Sequence, residues 1–353
     1  MNESQRDFLD ALLDTASPSG FESPSQRVWV DYVSEYADEV RTDDYGNAVA
    51  VLEGNDSSVA LAGHSDEIGF IVREIEDDGY IRIARIGGSD RTVSQGQHVH
   101  IHTEDGPVPG VIGQTAIHLR DPEEESIQDI NEQHVDIGVE DGDEVAELVE
   151  RGDPITFQQT VSELEGDRIA ARGLDNRIGI WAAAEGFRRA AQEDPDATVY
   201  AVSTVQEELG LQGAKMVGFD LDPDVAIATD VTHATDEPGT PGSKQTGVEL
   251  GDGPAVARGS ANHPKVVRAV RDVAEETDID IQLQATGIRT GTDADAFYTS
   301  RNGIPSLNIG VPNRYMHTPV EVLDLADLDA TAELLGQFAA RADEFEYAVD
   351  LGR

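Results

Sequence analysis

The segment His64-Ser65-Asp66 follows the apolar run SVALAG, which sets an imidazole and a carboxylate two residues apart at the end of a strand-like stretch. Alternate residues of an extended segment share a face, so Asp66 is placed to accept from the imidazole nitrogen turned away from a metal. Asp175, in ARGLDNRIG, stands just before a helical pattern and by itself reads as an N-cap. Glu207 and Glu208 follow the strand-like TVYAVSTV. Two adjacent acids at the end of a buried strand are costly unless a cation or a proton compensates them. Asp230 ends the apolar run of AIATDVTHA, and His317 follows the run IPSLNIG in NRYMHTPVE. His233, three residues after Asp230, is read as structural rather than ligating.

Each segment alone has a bland reading: a surface loop, a helix cap, an acidic turn, a lone histidine. Together they supply two His and several carboxylates at strand ends or in the loops beyond them, where sites form in open α/β sheets. Such a set, without Cys, suits a pair of divalent ions such as Zn, Co or Mn. Two such ions about 3.5–4 Å apart can hold a bridging hydroxide and polarise a carbonyl. A nearby Glu that is not a ligand can then take a proton from the water and pass it to a leaving amine.

These residues need a scaffold, and the hydrophobic patterning describes one. Ser4–Thr15 and Gln26–Tyr36 read as helices, Val40–Leu52 as two strands around Asp-Tyr-Gly-Asn, and Ser58–Gly63 as a buried strand. From Gly69 to Gln159 short alternating segments such as YIRIARI and HVHIH are punctuated by Gly, Pro and Asp, with short helical pieces near Ile127 and Glu144. That texture predicts a small all-β module. Beyond Ile169 the α/β alternation returns: helices at Asn176–Gln192, Pro264–Glu276 and Leu325–Phe345, and strands at Thr198–Val205, Val225–Thr229 and Ile304–Ile309. The expected organisation is an α/β unit of residues 1–68 and 160–353 with an all-β insert at 69–159.

Composition narrows the partners. Seventy Asp and Glu against 25 Lys and Arg give a formal charge of −45, which disfavours nucleic acid and anionic membranes. The acids interleave with clear element patterns, which argues against disorder, and no calcium-loop motif is present. Dispersed carboxylates with only three lysines fit a surface adapted to molar salt, where the Debye length falls to about 3 Å. Absent cysteine, an N-terminus without an apolar h-region and no apolar run near membrane-spanning length lead to a cytoplasmic expectation.

The segments GHSDEIGF, RGLDNRIG, VQEELGLQGA, ATDVTHA, ELGDGPA, GTDADAF and RYMHTPVE, in that order, resemble the TET-type (tetrahedral-particle) metallo-aminopeptidases of the co-catalytic dinuclear zinc exopeptidases. The resemblance implies a mixed-sheet zinc-exopeptidase catalytic domain with an inserted β-barrel-like dimerisation domain, and twelve subunits in a tetrahedral shell. It implies that His64 and Asp230 ligate one metal, Glu208 and His317 the other, and that Asp175 bridges them. Glu207 would be the general base and acid, Asp66 would orient His64, and peptides with a free N-terminus would be the substrates. The charge excess suggests a halophilic archaeal member. A related N-deacylase or carboxypeptidase is the alternative; no arginine cluster near the motifs suggests a carboxylate-binding site. An endoglucanase would need carboxylates about 5–9 Å apart across a glycosidic bond, and a metal-buffering scaffold would not need converging motifs. Outside these roles, Thr292 and Asp293 are expected to brace a wall of the site. His98, His100 and His102 are read as surface or interface residues, KQTG at Lys244 as a loop, and GGSD at Gly87 as a plain turn.

Overall fold

The computed structural model describes the chain except residues 56, 121–126, 159, 160, 350 and 353. Helix α1 (Glu3–Asp14) opens with a capping box in which Asn2 and Gln5 satisfy each other's free amides. Helix α2 is Ser23–Val33, followed by strands β1 (Glu39–Thr42), β2 (Ala48–Leu52) and β3 (Ser58–His64). Six strands then close a barrel: β4 (Gly69–Ile75), β5 (Ile81–Ile86), β6 (His98–Thr103), β7 (Gly106–Ile112), β8 (His134–Asp136) and β9 (Pro154–Phe157), with short helices α3 (Arg91–Ser94) and α4 (Gly142–Ala146) between them. The chain continues through β10 (Ser162–Glu163), β11 (Arg168–Ala171), α5 (Leu174–Gln192), β12 (Thr198–Thr204), α6 (Gln212–Leu221), β13 (Val225–His233), β14 (Ala255–Gly259), α7 (Pro264–Glu276), β15 (Gln282–Thr286), α8 (Ala294–Phe297), β16 (Ser306–Arg314), β17 (Glu321–Asp324) and α9 (Leu325–Ala340).

Outside the barrel, the described strands form one mixed sheet in the order β1-β2-β12-β3-β13-β16-β17-β11-β10, with the parallel pair β14 and β15 joined to β16. Its centre is parallel: β3 lies between β12 and β13, and β16 pairs with β13. These strands are apolar on both faces, as a covered parallel sheet requires. Val59 and Leu61 join the cluster under α1, α5 and α9, which includes Trp29, Trp181 and Phe338, whereas Ala60 and Ala62 pack with Val202, Val217 and Phe297 on the other face. Small residues face α6 and α8 at these points, and Gly213 of α6 lets the helix close onto the sheet. A Cβ there would lie 2.5 Å from the Val205 carbonyl oxygen.

The barrel has its own core, with Phe70, Ile83, Ile101 and Ile155 buried inside an antiparallel cylinder. The chain enters along β4 and leaves along β9, and these two strands are neighbours, with Phe70 opposite Ile155. The expected boundary at 159/160 falls outside the described residues. Several elements differ from the sequence reading: β16 continues past Ile309 to Arg314, and α6, β14 and β15 have no counterpart in it. Strand β13 does not stop at Thr229 but pairs with β16 as far as His233, so Asp230 sits within a strand. The closing helix ends at Ala340, and residues Ala342–Glu344 form a separate 3-10 turn.

Candidate metal centre

Register puts the first half of the centre together. Thr204 of β12 pairs with His64 at the end of β3, and Ala62 pairs with Ala228 of β13. Continuing that parallel register sets Asp230 level with His64. The His64 side chain is 2% exposed, and its Nε2 faces Asp175 Oδ1 at 3.3 Å, with Glu207 Oε2 and Asp230 Oδ2 each at 3.8 Å.

The second half comes from less regular backbone. His317 lies in the connection from β16 to β17, and its Nε2 faces Asp175 Oδ2 at 3.2 Å and Glu208 Oε1 at 3.4 Å. The two oxygens of Asp175 therefore point one at each imidazole. Asp175 is not the N-cap of the regular part of α5: its carboxylate is turned to the imidazoles, and the cap-type bond is made by Asn176 Oδ1, which accepts from Gly179 N–H at 2.9 Å. The side-chain amide of Asn176 also donates to the Thr229 carbonyl, which ties the start of α5 to β13. Among the described residues, two groups place one potential ligand atom each within 4.8 Å of the others: His64, Glu207 and Asp230; and Asp175, Glu208 and His317. His233 joins neither group but lines the adjoining cavity.

Asp66 does more than face His64. Its Oδ1 lies 3.3 Å from His64 Nδ1 and accepts from the Glu207 N–H at 2.9 Å. Its Oδ2 accepts from the Glu208 N–H at 3.1 Å and from Ser19 Oγ at 2.7 Å. One buried carboxylate thus holds both the imidazole and the backbone that presents the paired glutamates. The loop itself is braced from behind by Arg177, whose guanidinium donates to the Ser65 carbonyl at 2.6 Å and to Glu67 at 2.9 Å. Glu67 is fully buried and also paired with Arg172.

Electrostatics show what this arrangement needs. Burial pushes the Glu207 carboxyl up to about 10; His64 opposes the rise, and Asp230, Asp293 and Glu208 add to it. Burial likewise drives Asp230 far above the carboxylate range and raises Glu208. Asp175 goes the other way: burial would raise it, but its bonds to His317 and His64 hold it well below the ordinary value. Hydrogen bonds to Asp175 and Glu208 lift His317 to about 11. So many acids crowded around two imidazoles are a donor set in search of positive charge. The mix of imidazole nitrogens and carboxylate oxygens, without thiolate, fits divalent cations of the zinc class.

Sequence reading passed over two contributors. Glu321 is fully buried, accepts from Asp175 N–H at 2.8 Å and from His317 N–H at 3.0 Å, and so clamps both residues by their backbones. It stands in the quoted RYMHTPVE, where an acid after an apolar residue gives no local signal. The GGSD turn is more than a plain turn: a Cβ on Gly88 would lie 2.8 Å from His317 Cε1, so this barrel backbone rests against the imidazole. Asp293 is buried and accepts from Thr204 Oγ1, in keeping with the bracing expected of GTDADAF. The barrel histidines stay apart from the centre; His102 bonds Thr156, and His98 is exposed.

A cavity of about 460 Å³ opens beside the centre, walled by Thr232, Gln284, Arg289, Thr292, Asn308 and Met316 among others. A larger space of about 1000 Å³ lies elsewhere, under α9 beside Asp280 and Asp327, and includes none of these groups.

Comparison with known proteins agrees with this geometry. The profile of the M42 glutamyl aminopeptidases matches residues 46–334. The chain is similar to the lysyl aminopeptidase of Pyrococcus furiosus, with 34% identity over 93% of this chain and 94% of that one. Among solved structures it is similar to a TET aminopeptidase from a marine sediment archaeon of the Thaumarchaeota, with 32% identity, a TM-score of 0.91 and coverage of 96% and 97%. It is also similar to the TET1 peptidase of Pyrococcus horikoshii, which assembles into a tetrahedron or a large octahedral shell, with 31% identity, a TM-score of 0.85 and coverage of 95% and 99%. Among the described residues no helix is long and apolar enough to cross a membrane. A donor set for divalent cations at the strand ends of a mixed sheet, a barrel hung beside it and a family match over most of the chain lead to one conclusion: this chain belongs to the M42 aminopeptidase family and is a metal-dependent hydrolase of peptides at their N-terminal residue.

Proposed function

We infer that the reaction centre takes two divalent ions, Zn ahead of Co or Mn, one on His64 and Asp230 and the other on Glu208 and His317, with Asp175 shared. The observation that carries this reading is Asp175, whose two carboxylate oxygens face the two imidazoles at 3.3 and 3.2 Å. Bound there, such a pair supplies Lewis-acid polarisation of the scissile carbonyl and an attacking water at neutral pH. Asp66 fixes the His64 ring and the turn that presents Glu207. Glu207 takes the proton from the attacking water and delivers it to the leaving amine. The N-terminal residue of the peptide occupies the 460 Å³ cavity.

On this reading residues 1–68 and 160–353 are the catalytic unit and residues 69–159 are an insert that pairs subunits. Separate apolar clusters for sheet and barrel support the division. The kinship to shell-forming peptidases supports a dodecamer built from dimers. With a formal charge of −45, such a shell is halophilic in character and comes apart in dilute buffer.

The test is residue release from one peptide, free or acetylated at its N-terminus, in molar KCl with and without chelator. Release from the free form alone, lost with chelator and restored by Zn or Co at two ions per chain, supports the reading. Equal cleavage of the acetylated form would point to a deacylase, and restoration at one ion per chain would remove the bridging role of Asp175. Particle size that stays constant on dialysis into dilute buffer would sink the salt dependence.

A further inference from the structure

His317 has a second cavity on its other side. A space of about 740 Å³ is lined by His317 and, from the barrel, by Arg85, Gly88, Ser89, Asp129 and Asn131 among others. The catalytic loops wall the 460 Å³ cavity, and the barrel walls this one; His317 lies between them and lines both. The turn after β5 carries no side chain at Gly87 and Gly88, which lets the barrel backbone come close to the centre. The Gly88 backbone rests on the imidazole, and a Cβ on Gly87 would lie 3.1 Å from Glu208 Oε2.

An enzyme that removes one residue from an amino terminus needs unequal spaces around its reaction centre. One side holds a single residue, and the other must pass a chain of any length. The smaller cavity suits the first task, and the barrel cleft suits the second.

Charge says what the cleft prefers. Arg91 is paired with Asp129, and the Asp90 carboxylate is occupied by Thr92 through its N–H and hydroxyl. Arg85 is exposed and has no carboxylate partner among the described residues, in a chain where acids outnumber bases by 70 to 25. An unpaired guanidinium amid so many carboxylates is the group that a carboxylate ligand meets. The sequence motifs gave no sign of it, because Arg85 lies in the insert and outside every one of the quoted segments.

We propose that the barrel forms the leaving-side subsite of the peptidase, and that Arg85 binds a carboxylate of the departing peptide. That carboxylate is either the C-terminus of a short peptide or an acidic side chain beyond the cleaved bond. The inference rests on the assignment of the reaction centre made above.

The experiment compares wild type with Arg85→Glu and Arg85→Lys on substrates that share one first residue, chosen as the one released fastest from its p-nitroanilide. The series is the p-nitroanilide itself, a dipeptide ending in free Ala, the same dipeptide as its amide, and the amide with Asp in place of Ala. The p-nitroanilide has no peptide on the leaving side. Arg85→Glu is expected to leave its kcat and KM unchanged and to raise KM about five- to tenfold for the carboxylate-bearing substrates, with Arg85→Lys intermediate. A rise confined to the free-acid dipeptide identifies the terminal carboxylate, and a rise confined to the Asp amide identifies the side chain. Equal changes across the series, or none, overturn the subsite. Wild-type release from the p-nitroanilide that persists unchanged in chelator removes instead the reaction-centre assignment.

Discussion

His64 and His317 face the same carboxylate from opposite kinds of structure. His64 ends a parallel strand inside the sheet and is 2% exposed at its side chain, with its neighbours set by strand register. His317 has φ of +64°, a left-handed conformation unusual for a non-glycine residue, and its side chain is 33% exposed. No register sets it; the Glu321 carboxylate and a barrel turn do. One half of the centre is thus a property of the sheet, the other an agreement between a loop, a buried acid and an inserted module. The difference teaches that the two halves of the centre are not equivalent, and on the proposed two-ion reading the His317 side is expected to exchange its ion first.

The largest effect that sharpens this comparison comes from Glu207, which by distance alone sits with His64 and Asp230. Glu207→Gln is expected to lower kcat by about 10²–10⁴-fold with both ions retained, as loss of a proton carrier requires. Loss of the tighter ion together with activity, read by metal analysis of the dialysed variant, would make Glu207 a ligand instead.

Glu321 tests the looser half. Its Oε2 accepts from Asp175 and its Oε1 from His317, so a carboxamide cannot serve both amides. Glu321→Gln should weaken the ion on the His317 side by about 10–100-fold in a metal titration, and the other, which shares only Asp175, by less. Equal weakening of both ions would erase the asymmetry between the halves.

A smaller effect belongs to the buried half. Burial raises Glu22 from 4.5 to about 7; its bonds from Gly20 and Gln206 lower it, and Asp66 raises it. The folded chain therefore binds this proton more tightly than the unfolded chain does. The contribution to stability is complete below pH 4.5 and is lost as pH rises through 7. Both backbone amides donate to one oxygen, Oε1, so Glu22→Gln can keep the two bonds. In denaturant titrations at fixed KCl, the variant should match wild type near pH 4.5 and exceed it by about 1–3 kcal/mol at pH 8. A difference independent of pH would show that the Glu22 charge is not strained.

The halves also differ in how far they were legible. Val59 to Ala62 declare a strand buried on both faces, and His64 and Asp66 follow with their spacing intact. Pro264–Glu276 matches its helix end to end, because proline at the first turn and an apolar stripe are local signals. Helix α6 was not read, since Gly213 and Gly218 depress helix propensity and are there for contacts with Val205 and Ser300. Asp175 resembled a cap because the residue that caps is its neighbour. Asp230 seemed to end its strand because the apolar run stops, while the ladder to β16 continues. Strands β14 and β15 escaped notice because QLQAT is half exposed and finds its partner only in the folded sheet. Glu321, Gly88 and Arg85 act across the fold, and nothing beside them in the sequence records what they touch.

The proposed ligand set runs from residue 64 to residue 317, and consecutive members are separated by the barrel, by crossover helices or by the β14–β15 edge. No piece of the chain that begins after residue 64 or stops before residue 317 contains both imidazoles. During synthesis, then, a ribosome-bound chain carries no peptidase until nearly all of it has emerged, and the parallel strands that bring His64 level with Asp230 are among the slower pairings to form. A cut anywhere between the two imidazoles leaves neither fragment with both, so a single break inside that span ends the activity proposed for the centre.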